Sequence, residues 1–202
     1  KYTAGKICYI NEELEDVDLT NKSTREIKKL GVNISFVPEH RLGMGLVGLM
    51  GMTDNVMLRT YKRGKTALVQ RKEPRRLADR IKEKLEVVTP NIEYPVSRLS
   101  GGNVQKVLVG REISSNPDVL MVAYPVRGLD INASYAIHNK LNEQQARGAC
   151  VISVIEDLDV LLALSDRILV MNNGKVAGIL NARTATKEEI GYLMTANAEE
   201  VK

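Results

Sequence analysis

The 202-residue chain has no tryptophan, one phenylalanine, two histidines and two cysteines. So few aromatic rings argue against a stacking platform for single-stranded nucleic acid, and no nucleic-acid partner is expected. Neither His40 nor His138 has a second His, Cys or acid at ligand spacing, so no metal site is expected from them. Both read as surface or capping residues. No apolar run approaches the roughly 18 residues of a membrane span. No charged, apolar, small-residue leader opens the sequence. Cys8 and Cys150 sit in apolar, strand-like runs and read as buried free thiols. Internal repeats and sustained heptads are absent. So is a phosphate loop of the form G-x-x-x-x-G-K-[ST]. Two near misses fail on context. "RTYKRGKT" has Arg59 where the first glycine belongs and follows no strand. "GMGLVG", with Gly43, Gly45 and Gly48, lies in a loop after Pro38 instead of joining a strand to a helix.

The charge that is present is uneven. The net value is +4, yet Arg59 to Lys84 holds eleven Lys/Arg against three Asp/Glu, which leaves the rest at −4. Such a block can mean an anionic partner or membrane headgroups, but a solvated helix surface is the simpler reading. Local signals lay out the elements. Lys6–Ile10 reads as a strand, followed by an acidic loop. "STRE", Ser23 to Glu26, is a capping box that opens a short helix ended by Gly31. Val32–Val37 is a second strand. A short helix over 53–61 starts at Thr53 or Asp54. Pro74 stands in the first turn of a helix with an apolar stripe at Leu77, Ile81 and Leu85. Ser100 caps a helix to about Ser114, with Val104, Val107, Leu108 and Ile113 inward. Val119–Tyr124 and Cys150–Ile155 read as strands. Helices are expected over 132–147 and 157–164, the second capped by Asp157. "RILVMNNGKVAGIL" is a hairpin turning on Asn173-Gly174. The last ten residues read as a fraying tail. Strands alternating with helices predict an α/β fold with a mostly parallel sheet.

The sharpest stretch is "LSGGNVQK", Leu99 to Lys106. Ser100 offers a hydroxyl. Gly101 and Gly102 let backbone N–H groups approach an anion closely, and the helix that begins there adds its positive end. Together they make a phosphate-binding tip. Downstream come "PDVLMVAYPVRGLD" and then "VISVIEDLDVLLALSDRILVMNNGKV". This order and spacing resembles the ATP-binding cassette family, in particular the nucleotide-binding subunits of bacterial simple-sugar and nucleoside importers. The likeness runs from Gly5 to about Tyr192.

The resemblance implies a partial cassette, a P-loop-type α/β core with a helical subdomain. Residues 1–39 and 116–202 would form the core, and 40–115 the helical part. Ser100, Gly101, Gly102, Asn103 and Gln105 would be the signature motif, which in this family meets ATP held by the opposing cassette. Gly128, Leu129 and Asp130 would be the D-loop, and Glu39 would stand at the Q-loop position. Ala123 replaces the family's magnesium-holding Asp, Tyr124 its general-base Glu, and Glu156 its switch His. Losing a general base costs roughly 10²–10⁴ in rate, or about 3–5 kcal/mol of barrier. A carboxylate about 4 Å from a phosphate charge adds roughly 4 kcal/mol of repulsion at an effective dielectric of 20.

The family's phosphate loop precedes a "KPTSGKI" stretch, which matches "KYTAGKI" here. The chain is therefore expected to lack that loop and its helix. It should leave some apolar sheet uncovered, bind ATP weakly or not at all by itself, and be prone to self-association. The partners implied are a preceding cassette of the same polypeptide or a second copy, transmembrane permease subunits and, indirectly, a substrate-binding protein. All would lie at the cytoplasmic face of a bacterial membrane, with Mg and ATP as cofactors of the paired protein. Met44, Met50, Met52 and Met57 fall where this family meets its permease, but core filling is the favoured reading. Arg127 either pairs with a carboxylate or approaches the partner. DNA-repair and chromosome-maintenance ATPases share a similar signature but carry long coiled coils, which the absent heptads disfavour. A structural or regulatory pseudo-cassette remains the alternative.

Overall fold

The computed structural model describes residues 4–10, 15–59 and 70–196. They form two compact units that divide between Ser153 and Val154. Decoy residues 60–66 and much of the basic block fall outside the described residues.

The first unit opens with a hairpin, β1 (Cys8–Ile10) against β2 (Asp16–Asp18), paired antiparallel with Tyr9 opposite Val17. The sequence Asp-Val-Asp has little strand propensity of its own and was expected as loop. Pairing with β1 makes it a strand. Helix α1 (Thr24–Lys29) carries the expected capping box: Ser23 Oγ accepts from Glu26 N–H, and Glu26 Oε2 accepts from Ser23 N–H. The central sheet has the order β3 (Ile34–Val37), β4 (Val119–Ala123), β5 (Cys150–Val154). β3 and β4 are parallel, with Phe36 opposite Met121.

One face of this sheet is covered by α4 (Gly101–Ile113), which packs with α2 (Met52–Met57), α3 (Lys72–Lys84) and α5 (Ile131–Ala146) around one core. Val37, Leu120 and Val122 of the sheet meet Val104, Val107 and Leu108 of α4 there, all nearly or fully buried. Each such side chain removed from water contributes about 1.5–3 kcal/mol. α4 is buried on almost every side, with polar Gln105, Arg111 and Glu112 buried among its apolar residues, so it shows no single apolar stripe. Gly110 permits this. A Cβ there would stand 2.6 Å from Ile81 Cγ2 and 2.8 Å from Leu85 Cδ1, so glycine lets α3 lie directly on α4. On the opposite sheet face Phe36, Met121 and Ile152 are exposed.

The second unit holds α6 (Leu158–Leu164), the antiparallel hairpin β6 (Arg167–Asn172) and β7 (Lys175–Asn181), and α7 (Lys187–Thr195). Asn173 and Gly174 take φ of 48° and 75°, as their turn requires. Asp157 caps α6 by accepting from Asp159 and Val160 N–H. Ile168, Val170 and Ile190 form its small core.

Several expectations need correcting. Cys8 and Cys150 are both exposed, because each lies on the outward side of its strand's alternation. His138 is buried, on the α5 face shared with Ile137, Leu141 and Gln144. α2 begins at Met52 behind Gly51, not at Thr53 or Asp54. Thr53 is buried instead and donates to Glu93 Oε1 at 2.8 Å, and Asp54 pairs with Arg71 at 2.7 Å. Residues 193–195 belong to α7 and are not tail.

Candidate functional site

The stretch expected to bind phosphate opens α4 as a capped helix start. Ser100 is the N-cap of α4, with φ −63° and ψ 157°. Its Oγ accepts from Asn103 N–H at 3.4 Å and from Asn103 Nδ2 at 2.9 Å. With both acceptor positions used inward, the hydroxyl proton remains the group it can offer to an incoming oxygen. The N–H groups of Gly101 and Gly102 occupy the first turn, where no helical acceptor exists. Asn103 is braced twice, since its Oδ1 also accepts from Val88 N–H at 2.9 Å, which ties the tip to the loop after α3. Gln105 is 1% exposed and turned inward, toward Arg41.

Gly128-Leu129-Asp130 lies beside this tip. Asp130 caps α5, its Oδ1 accepting from Ala133 N–H at 2.9 Å. A Cβ at Gly102 would sit 3.4 Å from Ala133 Cβ and 3.7 Å from Asp130 Oδ2. The two stretches, 26 or more residues apart in sequence, therefore share one surface. On the other flank a Cβ at Gly101 would meet Arg41 Nη1 at 3.3 Å. Burial holds the Arg41 guanidinium somewhat below its ordinary value.

Ala123 ends β4, and Tyr124 follows it with a left-handed φ of 49°. For a bulky residue this is a strained position. Arg127 lies over the Tyr124 ring, 5.6 Å from its centre, and donates to Glu39 Oε1 at 2.5 Å. Glu39, Ala123, Tyr124 and Arg127 are thus brought to one end of the sheet. Arg127 takes the carboxylate-pairing role, and Arg41, which the sequence reading passed over, joins them. Glu156 belongs to the second unit, one residue before the Asp157 cap. Met52 is core, whereas Met44 is 70% exposed. Met44 lies on an exposed apolar segment, the π-helical turn Arg41–Gly45 and the residues after it, with Leu42, Val47, Leu49 and Met50, of which Leu49 is 87% exposed. Asn55 fixes this segment by accepting from Val47 N–H and donating to Val47, Met50 and Gly51 carbonyls. Among the described residues, no cluster of His, Cys, Asp or Glu would hold a metal ion, and no helix is long and apolar enough to cross a membrane.

Solved structures share this architecture. A dimeric bacterial ABC transporter cassette, MJ0796, superposes with a TM-score of 0.72 at 23% identity, covering 90% of this chain and 75% of that one. The fold is that of a partial ATP-binding cassette. An ADP form of MJ1267, a cassette of another ABC transporter, matches with a TM-score of 0.62 over 91% of this chain and 72% of that one. No family model matches the chain. By sequence, its homologues are import ATP-binding proteins. It is 37% identical over 185 residues to the nucleoside import ATP-binding protein NupA of Lactococcus lactis subsp. cremoris, covering 90% of this chain and 36% of that protein. The xylose import ATP-binding protein XylG of Moorella thermoacetica is 37% identical over 161 residues, covering 80% of this chain and 32% of that protein. The ribose import ATP-binding protein RbsA of Corynebacterium glutamicum is 32% identical over 201 residues, covering 99% of this chain and 37% of that protein. The cassette therefore spans about a third of the length of these relatives.

Proposed function

We propose that this chain is part of the ATP-binding subunit of an importer for a sugar or nucleoside, and that it supplies its signature to ATP held by another cassette. The observation that carries the reading is the single surface made by Ser100, Gly101 and Gly102 with Asp130. It presents a hydroxyl, two unpaired backbone N–H groups and a helix N-terminus to an anion. Asn103 and Gln105 hold that surface from beneath. The names of the relatives, nucleoside, xylose and ribose import ATP-binding proteins, supply the solute class.

The chain's own site does not fit magnesium. Ala123 has no side-chain oxygen to offer, Tyr124 puts a phenol where the general-base carboxylate would stand, and Glu39 is already paired with Arg127. No hydrolytic step is assigned to it. In this reading the cassette is the second, degenerate one of a fused pair. Residues 40–115 form its helical subdomain, and 1–39 with 116–202 its core. The rigid apolar segment of Leu42, Met44, Val47, Leu49 and Met50 is the surface that meets the permease at the cytoplasmic face of a bacterial membrane. The degenerate end of β4 equally favours a pseudo-cassette with a purely structural or regulatory role.

One assay separates the two readings. In the complete importer, Ser100→Arg fills the phosphate position with a bulky side chain and should abolish most ATP turnover. Unchanged turnover would mean that the tip serves no active site. Calorimetry of the isolated chain with Mg-ATP should show no binding in the micromolar range, and a micromolar isotherm would contradict the idle site.

A further inference from the structure

We propose that Arg41 is a positioning residue, a single guanidinium that sets the spacing between the signature tip and the loop leading to Gly128-Leu129-Asp130. Arg41 Nε donates to Gln105 Oε1 at 2.8 Å, on the buried underside of α4. Its Nη2 donates to the backbone carbonyl of Arg127, directly before Gly128. Its Nη1 edge lies against Gly101. One planar group therefore touches three points, Gly101, Gln105 and Arg127, the last two lying 64 and 86 residues from it along the chain.

The root of the side chain is fixed as well. Arg41 opens a single π-helical turn, Arg41–Gly45, in which Leu46 N–H donates to Arg41 O at 2.7 Å. A second bond runs the opposite way. The side chain of Arg127 reaches back to Glu39, two residues before Arg41. Segments 39–41 and 127 are thus clasped twice, side chain to backbone and side chain to side chain. The clasp links the Q-loop position to the tip and to Asp130's loop. Lysine cannot replace this arginine, because one ammonium on a flexible stem lacks the rigid fork that reaches two diverging acceptors.

This inference rests on the trans-signature reading, so the experiment carries Ser100→Arg as a reference. In the complete importer, Arg41→Met and Arg41→Lys should each lower turnover at saturating ATP by about tenfold, while KM for ATP changes by less than about threefold. The double variant Arg41→Met with Gln105→Leu should lose no more than the worse single one, as expected of groups acting through one contact. A second measurement needs no activity. In Arg41→Met, amide hydrogen exchange should rise at Leu129 and through α4's first turn, with the β6–β7 hairpin unchanged. Wild-type turnover in Arg41→Lys would overturn the inference, since charge alone would then suffice. Unaltered exchange at Leu129, or turnover per folded molecule equal to wild type despite a lower melting temperature, would overturn it too. If Ser100→Arg is silent, the trans-signature reading fails first and takes this inference with it. If Ser100→Arg is inactive while both Arg41 variants work normally, only the role of Arg41 falls.

Discussion

Glu112 offers the most direct test of how the signature helix is held. Its carboxylate is 0% exposed, near the C-terminal end of α4. Two guanidinium groups meet it. Arg111 donates through Nε at 2.9 Å and Nη2 at 2.8 Å, and Arg59 from the end of α2 donates through both Nε and Nη2. Arg111 is itself 8% exposed at the side chain. Burial, reinforced by the charge of Arg59, lowers Arg111 to about 10, so it stays cationic at pH 7 and needs its counter-charge. Glu112→Ala therefore leaves a buried cation without its carboxylate. Breaking a buried pair from one side costs about 3–5 kcal/mol, against a total stability of about 5–15 kcal/mol for a typical domain.

With a urea slope of about 2 kcal/mol/M, the unfolding midpoint should fall by about 1.5–2.5 M. The backbone carbonyl of Glu112 is untouched by the substitution. It accepts from the hydroxyls of Ser35 and Ser115 at 3.0 and 2.9 Å, so the measured loss reports on the carboxylate. Glu112→Gln keeps the volume and should fall at the lower end of the range. The double variant Glu112→Met with Arg111→Leu removes both buried charges and should recover most of the loss, because apolar replacement of a whole buried pair is often neutral. Urea unfolding followed by circular dichroism reads all three. A cost below about 1 kcal/mol for Glu112→Ala would place this pair with ordinary surface ion pairs and refute the anchoring argument.

Other consequences are simpler to state. Gly110→Val should cost about 1–3 kcal/mol by driving Ile81 and Leu85 off α4, and an unchanged denaturation midpoint would refute the close approach. The Ser23 hydroxyl, then its backbone N–H, holds the Glu26 carboxyl below the ordinary carboxylate value. A depressed carboxylate stabilises the fold above its unfolded-state pKa, and that contribution disappears as pH falls through the folded value. An NMR titration of Ser23→Ala should therefore show Glu26 moving upward toward its ordinary value. Leu49→Glu should leave stability within about 0.5 kcal/mol, because Leu49 is already solvated. Under the proposed importer reading, the same substitution should weaken co-purification with the permease, and undiminished association would remove the apolar segment from that interface.

What could be read from the sequence was the chemistry that closes within a few residues. Ser23 with Glu26, Ser100 with Asn103, Asp157 with Val160 and the Asn173-Gly174 turn all complete their bonds inside four positions. The cap of α2 shows the limit of that rule. Thr53 and Asp54 are good caps by type, yet partners at Glu93 and Arg71 claim their side chains, and Gly51 takes the cap position. Alternation located the strands but not their sides. Cys8 and Cys150 look alike in sequence whether they face in or out, and only the packing of Tyr9 and Val151 decided it. β2 was invisible for a related reason, since two aspartates around one valine become a strand only when β1 lies alongside.

The signature motif itself divides along this line. Its outward chemistry, a hydroxyl and two glycine N–H groups at a helix start, needs nothing but its own letters. Its orientation depends on distant groups. Val88 holds Asn103 from one side, and Arg41 holds Gln105 from below. Ala133 closes on Gly102, and Glu112 binds the far end of the helix to α2. In the proposed reading, a tip that meets phosphate without a pocket of its own gains affinity only through placement, because two N–H groups and a hydroxyl on a free helix would meet water equally well. In that reading the residues that decide function are those that aim the helix. They lie up to 64 residues from the helix residue they hold, where no local pattern marks them.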